Sequence, residues 1–277
     1  MGIADDLADL PLVDQHCHPV VLDPLDRPGF ELLLTEAHER GPEGTSELDS
    51  QVGLAVRRWC ALVLGLDAHA APDAYLARRT ELGPREAARR LLGACGTSDL
   101  LVDTGLQHPG LCDPAELADL SGARVHEVTR VESVVEEVAA GGVGAAGLGG
   151  AVAEALAERA GGSVGFKTVA AYRVGLELPA DPPTDTDVRR AADRWLADCE
   201  RTGRCRLDEP TLVAHAVHAC LPLGLPLQVH TGYGDPDLTL HRADPSLLTP
   251  FLRALPPGTG PVVLLHCYPY HLSLIHI

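Results

Sequence analysis

Aromatic side chains are scarce in this chain: three Phe, two Trp and five Tyr, 4% of 277 residues. So thin a supply argues against a stacking surface for bases or sugars. Basic residues are short too, 22 Lys and Arg against 39 Asp and Glu, giving a net charge of −17. A phosphate backbone would be repelled, which excludes nucleic acid as a partner. The acidity is spread along the chain and reads as a solvated surface. No apolar run approaches the roughly 20 residues that cross a bilayer, so no membrane partner is expected. The N-terminus is acidic and carries no basic-then-apolar stretch. Eight cysteines occur without a C-x-x-C pair, and reduced thiols in a cytoplasmic protein are the expectation. No glycine-rich phosphate loop follows the first apolar run, which counts against a nucleotide-binding module.

What is present is a series of short Val- and Leu-rich runs separated by helical text. They cover 11–16, 99–103, 124–128, 163–169, 225–230 and 261–266. Several stay apolar until a polar residue at the C-terminal end, as strands covered by helices do, and alternation with helices predicts an α/β fold with a parallel sheet. Three- and four-residue apolar spacing predicts helices over 132–140, 151–159, 185–201 and 208–221, with Thr184 as an N-cap. Residues 28–97 are too many for one crossover and read as a helical insertion, with helices over 30–39, 50–64 and 84–92. Gly141–Gly150 and Leu178–Pro183 read as loops. Neither an internal repeat nor a linker marks a second domain.

In a parallel barrel the C-terminal strand ends converge on one mouth, where active sites form. Those positions hold His16, His18, Lys167, His230 and His266. His16 and His18 are two apart, on one side of a strand, so both imidazoles can grip one ion. His230 is followed by Thr231-Gly232-Tyr233-Gly234-Asp235, a loop suited to approach a ligand. Lys167 lies in an apolar strand, where an unpaired ammonium is costly. Three readings stay open for it: a carbamate bridging two metals, a partner for a substrate carboxylate, or a structural ion pair. Tyr172 and Arg173 are candidates for holding an anionic substrate. His215 and His218, at i and i+3 on a helix outside the strands, are not expected to bind metal. Asp103 and Glu127 are candidates for supporting the ligands from behind.

The segments VDQHCH (13–18), LLVDTG (100–105), GFKTVAAYRVGL (165–176), LQVHTGYGDPDL (227–238) and VVLLHCYPY (262–270) carry a resemblance. They resemble the amidohydrolase-related family of the amidohydrolase superfamily, in particular its FluG-like branch, over nearly the whole chain. The resemblance implies a (β/α)₈ barrel of the TIM type, with a divalent metal on His16, His18 and His230 and His266 near metal or substrate. Zn²⁺ suits such a set, with Mn²⁺ or Fe²⁺ as alternatives. It also implies that the full-length parent is a metal-dependent hydrolase of a C–N bond in a small, carboxylate-bearing substrate, the 277-residue fragment by itself being expected to be inactive. A non-oxidative decarboxylase and a non-catalytic scaffold or regulatory domain are the rival readings, and a homo-oligomer is left open. The family's strand-eight Asp would lie beyond His266. The expectation is therefore one barrel domain over 1–277, truncated after about six of eight strands, with 272–277 a non-native tail.

Overall fold

Each of the six apolar runs forms a strand in the computed structural model, which describes residues 10–39, 41–106 and 108–271. The strands are β1 (Leu12–Cys17), β2 (Thr97–Asp103), β3 (Arg124–Arg130), β4 (Ser163–Thr168), β5 (Leu227–Thr231) and β6 (Val262–His266). Pairing is parallel wherever a register is defined, with helices between successive strands, as the alternation predicts. The chain divides into two compact units, 1–126 and 127–277, with the boundary inside β3. The tail at 272–277 lies outside the described residues.

In the first unit β1 pairs with β2, Asp14 opposite Leu100 and Cys17 opposite Val102, with a register slip between. The expected insertion is helical: α1 (Arg27–Leu32), α2 (Gln51–Ala55), α3 (Pro72–Leu82) and α4 (Pro84–Gly93). From α2 the helix runs on through a π-helical turn, Val56–Cys60, into Ala61–Val63. The segment has a core of its own, in which Phe30, Leu48, Leu64 and Tyr75 are buried. The helix expected over 30–39 stops at Leu32, and Leu33 is exposed. Two helices of this unit escape the periodicity reading, α3 and α5 (Pro114–Ser121). Both start on a proline, whose missing N–H is harmless at a helix N-terminus. Asp113 caps α5 by accepting from the Glu116 amide at 2.8 Å.

In the second unit β3, β4, β5 and β6 lie side by side in chain order. Around them are α6 (Val131–Ala140), α7 (Ala145–Ala160), α8 (Ala170–Arg173), α9 (Asp185–Thr202), α10 (Pro210–Cys220) and α11 (Thr249–Ala254). Thr184 caps α9 as expected, accepting from the Asp187 amide at 3.2 Å. Phe166, Leu227 and Val229 turn one face of the sheet into a buried core with Val134, Leu156, Trp195 and Val217. Side chains alternate along a strand, so Lys167, Gln228 and His230 belong to the opposite face.

Two expectations are corrected here. The glycine-rich stretch 141–150 is a loop only to Gly144; the rest begins α7. Gly149 explains why, because a Cβ there would stand 3.0 Å from Val188 Cγ1 and 3.4 Å from His215 Nε2. The glycine lets α9 and α10 approach α7 closely. The thiols are not all reduced either: Cys199 and Cys205 form a disulfide across the turn after α9. Among the described residues no helix is long and apolar enough to cross a membrane.

Candidate functional site

In the first unit the site residues gather at the end of β1. The rings of His16 and His18 lie 5.2 Å apart and nearly perpendicular, at 81°. Cys17, between them, turns the other way and its Sγ donates to the Leu101 carbonyl at 3.7 Å. Burial, with the charge of Asp14 second, pushes the Cys17 thiol up to about 12. His18 Nδ1 lies 3.1 Å from the Asp103 carbonyl oxygen. A carbonyl only accepts, so Nδ1 carries the proton and the ring's lone pair sits on Nε2. Asp103 thus supports His18 through its main chain, while its carboxylate accepts from the Gly105 amide at 2.9 Å. Near the start of β2 in the same unit Arg124 grips Asp99 with two bonds of 2.7 Å, and His126 adds a third at 2.8 Å. These contacts, Arg124 first, hold the Asp99 carboxyl well below the usual carboxylate range.

In the second unit His230 is the centre of a cluster. Its ring packs against Tyr172 at 4.5 Å and His266 at 4.6 Å. Its Nε2 lies 3.1 Å from the Tyr233 carbonyl, which by the same reasoning puts the proton on Nε2 and the lone pair on Nδ1. The loop after β5 is drawn in closely. A Cβ at Gly234 would collide with the Tyr172 hydroxyl and stand 2.9 Å from His230 Nε2. The Tyr172 hydroxyl accepts from the Asp235 amide at 3.2 Å. His266 faces Thr231 in the strand register, the helix-packed side, yet its ring reaches His230. A left-handed backbone at His266 (φ 65°) and Cys267 (φ 62°) takes it out of the alternation. Such conformations are uncommon outside glycine and cluster at functional sites.

Lys167 is the only lysine of the chain; its 21 other cationic residues are all Arg. It is 2% exposed, level with Arg130 on β3 and Gln228 on β5. Arg130, Lys167 and Gln228 therefore form a polar row across the sheet face away from the helix-packed core, with His230 two residues beyond Gln228. Arg173 points elsewhere. Its guanidinium donates to Glu136 at 3.1 Å and to the Leu207 carbonyl at 3.2 Å, and burial draws it below its ordinary value against the pull of Glu136. The structure gives Arg173 a role in holding α8, and with it Tyr172, against the loop before α10. Glu127 pairs with Arg159 at 3.9 Å. His215 and His218 are tied to the Gly149 and Pro179 carbonyls, both at 3.0 Å, in keeping with a structural reading.

Sequence reasoning passed over Glu132. It is fully buried in the first turn of α6, where Oε1 accepts from the Thr168 hydroxyl at 2.5 Å and the Val169 amide at 3.0 Å. Those residues join Lys167 to α8. A Glu in a helix's first turn ordinarily complements the helix dipole, and nothing in the pattern set this one apart. Gln228 was likewise read only as part of an apolar strand.

Among the described residues no group of three or more His, Cys, Asp or Glu stands close enough to hold a metal ion. What the structure offers is two pairs of imidazoles, with one ring of each pair oriented by a backbone carbonyl.

No family model matches the chain. Over 131 residues, 43% of the chain, it is 32% identical to the protein fluG of Emericella nidulans, and it covers 14% of that protein's length. It also resembles the crystal structure of a Lactobacillus casei protein provisionally designated a metal-dependent hydrolase. The TM-score is 0.76 at 28% identity, with 98% of this chain and 71% of the other covered.

Proposed function

We propose that this chain is the catalytic part of a metal-dependent hydrolase that cleaves a C–N bond in a small, carboxylate-bearing substrate. Its parallel sheet would belong to a TIM-type (β/α) barrel. The observation that carries the reading is the presentation of His18 and His230. Each has one ring nitrogen held by a main-chain carbonyl, the arrangement that fixes tautomer and aim in histidine metal ligands. The similarity to the Lactobacillus casei protein supports hydrolysis in general; the bond and the substrate are our inference.

His16, His18 and His230 are the proposed ligands; among the described residues they are not preassembled as a cluster, and neutral imidazoles suit Zn²⁺. When bound, a divalent ion would polarise a carbonyl and lower the pKa of a bound water toward neutrality. The chain's own groups do the rest. His266, turned toward His230 by its left-handed backbone, would hold a proton for the leaving nitrogen. Lys167 would meet the substrate carboxylate from within the polar row. Tyr172, its hydroxyl fixed by the Asp235 amide, would wall the pocket beside His230. Arg173 would act on the substrate only through Tyr172.

Metal analysis of the purified chain tests the ligand set. One or two equivalents of divalent metal are expected in the wild type, with at least one lost in a His16→Ala, His18→Ala double variant. Unchanged metal content would remove the ligand assignment. Release of CO₂, with no amine or ammonia, from carboxylate-bearing amides would replace hydrolysis by decarboxylation.

A further inference from the structure

At the C-terminal end of α9 lies a cleft of about 420 Å³ lined by Arg201, Arg204, Arg206, Asp198, Asp208 and Trp195. We propose that it binds a small, multiply charged anion: a phosphate-type group or a polycarboxylate. The inference does not rest on the hydrolase reading.

Arg201, Arg204 and Arg206 bring three guanidinium groups to one cleft of a chain of net charge −17, and with two aspartates among them the lining stays cationic. The backbone that carries them is held at successive points. The Cys199–Cys205 disulfide closes the turn. The Trp195 indole donates to the Arg206 carbonyl at 3.0 Å. Leu207 is fixed on both sides, its amide donating to Glu136 at 2.6 Å and its carbonyl accepting from Arg173 at 3.2 Å. Much of the ordering cost of binding is therefore met in advance.

The guanidinium tips are lightly committed. Arg201 pairs with Asp198 at 3.0 Å and Arg206 with Asp237 at 3.2 Å, both in partly or fully exposed pairs. Among the described residues Arg204 has no ion-pair partner. Exposed pairs of this kind contribute about 0–1 kcal/mol, so an anion can displace them through charge-assisted, bidentate bonds. A single carboxylate would only replace an aspartate by its equivalent. Two or more charges on one ligand are needed for a net gain, which selects a polyanion. A long phosphate backbone would meet the repulsion of the whole acidic chain, and a cleft of this size suits a small molecule. Asp237 lies in the loop whose Asp235 amide meets Tyr172. An anion that draws Arg206 away from Asp237 therefore bears on that loop as well.

The test is titration of the full chain with pyrophosphate and, separately, citrate, at constant ionic strength. Calorimetry and Trp195 fluorescence in a Trp59→Phe background are the readouts. Saturable one-to-one binding is expected, at least tenfold weaker in Arg204→Ala and in Arg206→Ala, and unchanged in Arg189→Ala on α9. Arg204→Glu, at an exposed residue with no ion pair to lose, should abolish binding while leaving the melting temperature intact. Tighter pyrophosphate binding assigns a phosphate-type ligand; tighter citrate binding assigns a polycarboxylate. No saturable binding in the wild type, or equal binding in Arg204→Ala, would overturn the proposal.

Discussion

Lys167 and Glu132 show how differently two buried ionisable residues announce themselves. Lys167 was legible because a cation inside an apolar strand is conspicuous, and its 2% exposure bears out the burial. Lys167→Gln should lower turnover by on the order of 10²-fold or more if the amine serves the reaction. Near wild-type turnover would return it to a structural ion pair. Because it is the only side-chain amine, ¹³C-bicarbonate NMR reports on its carbamylation without ambiguity from other lysines. Glu132 was hidden among ordinary first-turn acids, and its role depends on Thr168 and Val169 arriving 36 and 37 residues later. Burial raises its carboxyl above the usual range, opposed by the Thr168 hydroxyl, and Oε2 has no hydrogen-bond partner among the described residues. The folded state thus holds this proton more tightly than the unfolded chain does. Its contribution is full below the unfolded carboxylate value of about 4.3 and is lost as pH rises through the raised value. Glu132→Gln, which keeps the Oε1 acceptor, should match the wild type at pH 5 and exceed it in stability at pH 8. Glu132→Ala leaves the Thr168 hydroxyl and Val169 amide buried without an acceptor and should cost about 2–5 kcal/mol. Denaturant unfolding across this pH range checks both, and a Gln variant less stable than the wild type at pH 8 would refute the sign.

Strands were easier to read than helices because a short apolar run ending in a polar residue is a local signal. A helix that starts on Pro72 or Pro114 has to be inferred against the habit of treating proline as a break. The glycines of α7 are the sharper case, since their meaning lies in α9 and α10, which come later in the chain. Gly149 and Gly150 are neighbours in the helix with different surroundings. A Cβ on Gly149 would press on Val188, whereas one on Gly150 meets nothing within 4 Å. Gly150→Ala should therefore stabilise the protein by about 0.5–1 kcal/mol, the gain in helix propensity. Gly149→Val should destabilise it by about 1–3 kcal/mol through overpacking. Paired thermal melts decide the matter; equal shifts for the two would mean that the close approach of α9 and α10 does not constrain the helix.

The division into two units and the Cys199–Cys205 disulfide were invisible at the level of pattern, because each depends on which distant or intervening segments come together. Net charge, by contrast, is a whole-molecule property read directly from composition, and it makes a prediction that no single contact does. With 39 carboxylate residues and 22 cationic ones, every Lys and Arg can be paired and a large excess of negative charge remains. Self-repulsion of that excess opposes the folded state. Added salt acts on two opposing terms. It weakens exposed pairs such as Arg190–Asp187 and Arg201–Asp198, each worth a few tenths of a kcal/mol. It also screens the repulsion, which acts over distances longer than the Debye length of about 8 Å at 0.15 M. The pairs are short-range and some survive in part; the repulsion is long-range and is screened first. Screening should win. Raising sodium chloride from 20 to 300 mM at pH 7.5 is expected to stabilise the protein by about 1 kcal/mol, a rise in melting temperature of about 2 °C for a chain of this size. The same titration with the anion cleft disabled by Arg204→Glu separates this screening from chloride bound at the arginines. A melting temperature that falls with salt in both proteins would show that the surface pairs, and not the net charge, govern the electrostatics of the fold.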